Sequence, residues 1–217
     1  MITQPKASLF HTYRWPCVLL LLAALCVVLT FSGFLDGIDK AGVMLFRTDA
    51  AGSDPVGPYW AEKAVLGLTH LGDTITLIIF SLLTISWLLL RKQKAAAIYF
   101  LVMAGGSFLL SAVLKAIFGR ARPDIVEHVV HASSASFPSG HTLRSAAVFL
   151  SLLLLARLYS QALRGFGFAL AVFVLFMGIG VSRIYLGVHW PSDIIFGWLV
   201  AGFWVSLWAP KLSASKA

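Results

Sequence analysis

Charge is scarce in this chain. Only 12% of its 217 residues are Asp, Glu, Lys or Arg, and the acids are the rarer part, nine against 17 Lys and Arg. With 59% of residues hydrophobic, a soluble domain of this size could not bury so much apolar surface in one core. That excludes a large soluble domain and makes lipid the main solvent. Cysteine is scarce too. Cys17 and Cys26 fall in one apolar stretch, too far apart along a single helix to bridge, which excludes an intramolecular disulfide. Internal repeats and low-complexity segments are lacking, which argues against a repeat array. Carboxylates do not cluster, so no metal and no cofactor are expected.

What the chain has in quantity is apolar sequence in runs that can cross a bilayer, a task for about 20 residues. Six such runs are legible: Trp15 to Phe34, Ala64 to Leu90, Ala95 to Phe118, Thr142 to Tyr159, Gly165 to Ser182 and Asp193 to Trp208. The last is short unless its helix begins near Gly187, which would put His189 and Asp193 on its first turns. Arg14 before the first run suggests a signal peptide, but no small-x-small cleavage site follows, so an uncleaved span is expected. The loop from Leu35 to Lys63 carries helix-breaking Gly52, Pro55, Gly57 and Pro58. Tyr59 and Trp60 follow and suit the headgroup interface, so part of this loop is expected on the membrane surface. The AGGS stretch at 104–107 is expected to let helices pack closely.

Basic residues set the expected orientation. With the N-terminus inside, the inner segments carry Lys6, Arg14, Arg91, Lys92, Lys94, Arg157, Arg164, Lys211 and Lys216. All nine acids, Asp36, Asp39, Asp49, Asp54, Glu62, Asp73, Asp124, Glu127 and Asp193, fall outside. The net charge of +8 is then a positive inner face over a near-neutral outer one, and nucleic-acid binding is not needed to explain it.

The polar residues that interrupt the apolar runs share one side of this topology. Lys115 ends the third run and KAIFGRARPD continues it outward; PSGH, 138–141, introduces the fourth; Ser182 and Arg183 end the fifth; His189 and Asp193 open the sixth. Lys115, Arg122 and Arg183 are cations with little acid among them, and arginine forks match phosphate oxygens. Pro138 favours a helix start, Gly140 lets backbone approach a ligand, the Ser139 hydroxyl can donate, and helix N-termini favour anions. His189 and Asp193, four residues apart, share a helix face. The aspartate can hold one imidazole nitrogen and leave the other free to attack. His141 supplies a second imidazole, suited to protonating a leaving oxygen. These residues point to phosphoryl transfer.

The ordered set K-x6-RP at Lys115, Arg122 and Pro123, PSGH at 138–141, and SR-x5-H-x3-D at Ser182, Arg183, His189 and Asp193 resembles the type 2 phosphatidic acid phosphatase superfamily. No signature position departs from it. The resemblance implies an all-α bundle of six transmembrane helices, with the active site at the outer (periplasmic) ends of helices 3 to 6. It implies one integral-membrane domain over 1–217 with its signature region at 115–193. It further implies that His189 attacks phosphorus to form a phosphohistidine, that Asp193 orients it, and that His141 protonates the leaving group and later activates water. Lys115, Arg122, Ser139, Gly140 and Arg183 would hold the phosphoryl oxygens, without a metal. The substrate class implied is a lipid phosphate: undecaprenyl diphosphate, phosphatidylglycerophosphate, phosphatidic acid or a lipid A phosphate. The location implied is the bacterial cytoplasmic (inner) membrane, with both termini cytoplasmic.

Arg144 and Arg120 lie outside the signature and are candidates for a second phosphate or a headgroup, which gives undecaprenyl diphosphate a slight preference. Glu127, His128 and His131 fit no metal-ligand spacing and are read as loop, His11 as tail, and His70 and Asp73 as structural support for the bundle. Two other functions remain open. The same phosphohistidine could serve a lipid phosphotransferase, and charged helix ends could serve an anion transporter, although that predicts basic or polar residues at mid-membrane depth, of which runs four and five have almost none.

Overall fold

The computed structural model describes residues 9–49 and 51–214. Lys6 and Lys216 lie outside the described residues, as do the side chains of His11 and Lys211. The described residues form helices and no strand: α1 (Leu9–Phe31), α2 (Asp36–Met44), α3 (Tyr59–His70), α4 (Thr74–Leu90), α5 (Lys94–Phe118), α6 (Gly140–Tyr159), α7 (Phe166–Tyr185) and α8 (Pro191–Ala214). Five of these, α1, α5, α6, α7 and α8, are each long and apolar enough to cross a membrane. The expected second span is not one straight helix. It is the pair α3 and α4, bent by 49° at a short break, and the pair counted as one span makes six. The cause lies at the break. Gly72 runs so close to α7 that an added Cβ would sit 2.5 Å from Ile179 Cγ2.

α6 is the most buried span and packs against α5, α7 and α8, while α1 lies along α8. Small residues permit this. Ser145, Ala146 and Ala147 are buried on α6, and a Cβ on Gly197 of α8 would meet Thr142 of α6 at 3.2 Å. Within the AGGS stretch, a Cβ on Gly106 would fall 2.4 Å from Trp204, so α5 and α8 approach as closely as that sequence suggested. Large apolar side chains such as Leu21, Leu82, Leu90 and Phe173 are left exposed on the outside of the bundle, as lipid requires and water would penalise. Cys17 and Cys26 are both free thiols.

The last two spans are joined by a short, strongly specified turn. At the end of α7, Gly187 adopts a left-handed φ of 76°, Val188 N–H donates to Arg183 C=O and Gly187 N–H donates to Ile184 C=O. This is a Schellman stop with glycine in the position that needs it. α8 then starts with Pro191 in its first position, where a missing N–H costs nothing. The Asp193 carboxylate reaches back to accept Trp190 N–H at 2.9 Å, as the acidic member of a capping box does. The expectation that the sixth helix begins near Gly187 is therefore corrected. A left-handed residue cannot start a helix; α8 begins at Pro191 and gains its length at the other end, reaching Ala214.

Candidate active site

That stop-and-start turn determines where His189 goes. It sits between the two helices, 2% exposed, not on the first turn of α8. Its Nδ1 is 3.2 Å from Asp193 Oδ2 and 3.3 Å from Ser136 Oγ. The Ser136 hydroxyl also donates to Asp193 Oδ2. With Nδ1 held on this side, Nε2 is the nitrogen turned toward Arg122, whose Nη1 is 3.4 Å away. Burial pushes the His189 imidazole down to about 3, with the Asp193 carboxylate pulling the other way. The ring is neutral at ordinary pH and Nε2 keeps its lone pair.

Four cations converge in front of that nitrogen. Lys115, Arg122, Arg144 and Arg183 line a cavity of about 170 Å³ together with His131, His141, His189, Gly140 and the 132–134 loop, and no carboxylate lines it. Each cation is aimed by a neutral acceptor. Lys115 Nζ donates to Ala135 C=O. Arg122 donates to Ser134 C=O at 2.9 Å and to Val188 C=O at 2.6 Å. Arg183 Nη1 donates to Thr69 Oγ1 at 2.9 Å, while its buried Nε has no partner among the described residues. Burial holds Arg122 below the ordinary arginine value, with the Asp193 carboxylate pulling the other way. Such a ring of under-compensated cations favours a compact anion of two or more charges.

The N-terminus of α6 completes the wall. Ser139 is its N-cap; its Oγ accepts Thr142 N–H at 3.4 Å and the Thr142 hydroxyl at 2.9 Å. Ser139 is wholly buried and is not part of the cavity lining, so its visible work is capping. Gly140 is required by the site itself. An added Cβ would lie 2.4 Å from Arg144 Nη2, because the Arg144 fork folds back to donate Nε–H to Gly140 C=O at 2.8 Å. His141 faces the cavity, and its Nε2 is 2.6 Å from Asp73 Oδ1.

The structure thus brings Lys115, Arg122, Gly140, His141, Arg144, Arg183 and His189 together, with Asp193 directly behind His189. Arg120 is placed elsewhere. Its guanidinium donates at 2.7 Å each to Asp193 Oδ1, Ser192 Oγ and Asp39 Oδ2, behind His189 and away from the cavity. The expectation of a headgroup or second-phosphate contact gives way to a brace on Asp193. Three participants were invisible as such in the sequence. Asp39, in the short helix α2, anchors Arg120 and Ser192. Ser136 ties the Asp193 carboxylate. Asp73 holds His141. Asp73 carries one usable signal in the sequence, an acid three residues after a histidine at the head of an apolar run, which by itself does not separate support of the bundle from contact with the site. Among the described residues no group of three or more His, Cys, Asp or Glu is arranged as metal ligands.

The chain is similar to known proteins in both sequence and fold. The sequence model of the PAP2 superfamily matches residues 95–215. Over 140 residues the chain is 31% identical to phosphatidylglycerophosphatase B of Bacillus subtilis (strain 168), covering 64% of this chain and 68% of that protein. It is 33% identical over 182 residues to lipid A 1-phosphatase of Rhizobium johnstonii, covering 69% of this chain and 70% of that one. Among solved structures, a transmembrane PAP2-type phosphatidylglycerolphosphate phosphatase from Bacillus subtilis superposes with a TM-score of 0.73 at 25% identity, covering 96% of this chain and 98% of that chain.

Proposed function

The chain belongs to the PAP2 superfamily, and from that premise we propose that it is a membrane lipid phosphatase working through a phosphohistidine on His189. One observation carries the reading: a carboxylate-free cavity lined by four cations, with a buried neutral imidazole at its wall whose Nδ1 faces Asp193. The substrate's phosphoryl oxygens take the forks of Arg122 and Arg183, the Lys115 ammonium and the Gly140 end of α6. The Nε2 lone pair of His189 attacks phosphorus. The bond to the leaving oxygen breaks and that oxygen takes a proton from His141. The imidazole gains positive charge as the P–N bond forms, and the Asp193 carboxylate at Nδ1–H offsets it without taking the proton. A water then attacks phosphorus, His141 accepts its proton, and the P–N bond breaks to return the lone pair to Nε2. The cations meet charge on the equatorial oxygens in both steps, which is where electrostatic preorganisation acts most strongly.

The enzyme is multi-pass, and we place its cavity at the outer face of a bacterial cytoplasmic membrane with both termini inside. The support is charge bias: with the N-terminus inside, Arg14, Arg91, Lys92, Lys94, Arg157 and Arg164 fall on the inner side and the acids on the outer side. Candidate substrates are undecaprenyl diphosphate, phosphatidylglycerophosphate, phosphatidic acid and lipid A phosphates. Arg144 keeps one Nη on Thr74 Oγ1 at 2.6 Å with its fork at the cavity wall; this supports reading it as the contact for a second phosphate, and on that reading the diphosphate is favoured. The test is phosphate release by purified protein in detergent with EDTA, over that lipid panel, with His189→Ala alongside. The expected result is EDTA-resistant release that the substitution abolishes. Equal release by both proteins would refute the assignment, and a phosphorylated acceptor in place of free phosphate would make the protein a phosphotransferase.

A further inference from the structure

The break between α3 and α4 does more than bend a span. The residues at and beside it touch the site at three points. Thr69 Oγ1 accepts from Arg183, Asp73 Oδ1 meets His141 Nε2, and Thr74 Oγ1 accepts from Arg144. Gly72 lets the corner close in, since a Cβ there would lie 3.4 Å from His141 Cδ2 as well as against Ile179. Thr69, Gly72, Asp73 and Thr74 all lie outside the stretch 95–215 that the superfamily model matches.

Asp73 occupies the N-cap position of α4, where an aspartate ordinarily accepts from the backbone N–H groups of the first turn. It makes no such bond. Both carboxylate oxygens are instead given to imidazoles, Oδ1 to His141 and Oδ2 to His70 Nδ1, each at 2.6 Å. A purely structural aspartate at this position would cap the helix. This one forgoes the cap to hold a ring that faces the cavity.

We propose that Asp73 is the positioning residue of the acid–base histidine, fixing His141 through Nε2–H so that Nδ1 is the nitrogen that delivers and recovers the proton. It rests on the reading of His141 as general acid. As the P–O bond breaks, the proton on His141 Nδ1 passes to the leaving oxygen and the ring becomes neutral. In the second step Nδ1 takes a proton from water. Asp73 stays ionised throughout and keeps Nε2–H in place, as a triad carboxylate does for its histidine. The two catalytic imidazoles are then held at opposite nitrogens: His189 at Nδ1 by Asp193, His141 at Nε2 by Asp73. The carboxylates differ in their second partners. Asp193 has the permanent cation Arg120, and Asp73 has His70, whose side chain is 67% exposed.

The test uses full-length protein and two phosphate monoesters with the same lipid tail, one with an alkyl leaving oxygen and one with a nitrophenyl leaving oxygen. Only the alkyl oxygen needs a proton to depart. General acids contribute about 10²- to 10⁴-fold, so Asp73→Asn is expected to lower kcat/KM about 100-fold on the alkyl ester and less than about threefold on the nitrophenyl ester. Asp73→Glu is expected to recover part of the alkyl activity. Retained nitrophenyl kcat/KM, which reports the phosphorylation step alone, shows that the variant is folded. If His141→Ala discriminates between the esters and Asp73→Asn loses both equally or neither, Asp73 does not position His141 and the inference is overturned. If His141→Ala itself shows no discrimination, the general-acid reading of His141 falls and takes this inference with it.

Discussion

Replace Arg120 by Leu. Among the described residues the guanidinium is the only cation bonded to a pair of buried carboxylates, Asp39 at 1% exposure and Asp193 at 0%. Leucine keeps part of the apolar contact that Arg120 makes over the Trp190 ring and removes the charge. Asp39 retains Ser192 N–H and Oγ–H, and Asp193 retains His189, Ser136 and Trp190 N–H, so neither loses every hydrogen bond. What is lost is the neutralising charge between them. Removing one member of a buried ion network costs about 3–5 kcal/mol, because the remaining charges stay buried without compensation. Asp193 also loses the partner that fixes its second oxygen, and kcat should fall about tenfold or more, the equivalent of ~1.4 kcal/mol in the barrier. Adding Asp39→Asn removes one of the stranded charges. The double variant should recover about 2 kcal/mol of the loss, the magnitude expected for residues that share one network. The assay is unfolding in mixed detergent and SDS, paired with phosphate release. Arg120→Leu within about 1 kcal/mol of the parent, or Asp39→Asn adding its own cost on top, would refute the bracing role.

Three further outcomes follow from the same geometry. Arg144→Ala should lower activity on a lipid diphosphate more than on the matching monophosphate; an unchanged ratio of the two rates removes Arg144 from second-phosphate binding. Gly187→Ala places a Cβ 2.5 Å from Arg47 Nη2 on a residue with φ of 76°, and should cost about 1–3 kcal/mol in the unfolding assay and displace His189, since left-handed strain of this kind is of that order. His189 is held by burial at about 3, below the ordinary imidazole value. Its native form therefore binds fewer protons than the unfolded chain, and its contribution is fully present above about pH 6.5 and is lost as pH falls toward 3. The stability difference between the parent and His189→Asn should shift against the parent between pH 7 and 5; a difference that stays flat would mean that the native ring protonates as an exposed one does.

Much of this molecule could be read from the chain because its parts obey local rules. Apolar length gave five spans close to their observed limits, and Gly119 ends α5 where the third run stops, in a left-handed conformation. The signature residues were legible because their spacing is dictated by helix ends. The interval from Arg183 to His189 is one Schellman stop, and that from His189 to Asp193 is one helix start. The misses are contacts between elements remote in sequence. Asp39 pairs with Arg120 across |i−j| of 81, and Asp73 with His141 across 68; no periodicity records such distances. The break at 71–73 was hidden for the same reason, since what demands Gly72 is Ile179 on another helix. Arg120 was misplaced because two arginines two residues apart look equivalent in a string. Only the fold shows one on the cavity and the other behind His189.

The central claim is a covalent bond between phosphorus and His189, and the direct measurement is to trap it. Purified protein is mixed with a radiolabelled lipid phosphate and quenched within a turnover, and the protein is then separated and digested. The account predicts label that survives alkali, is released by acid and maps to the peptide containing His189, with none on His189→Ala and prolonged label on a variant of His141 given an ester with a good leaving group. Phosphate release at full rate with no label on the protein at any quench time would contradict it, because water would then be attacking the substrate directly.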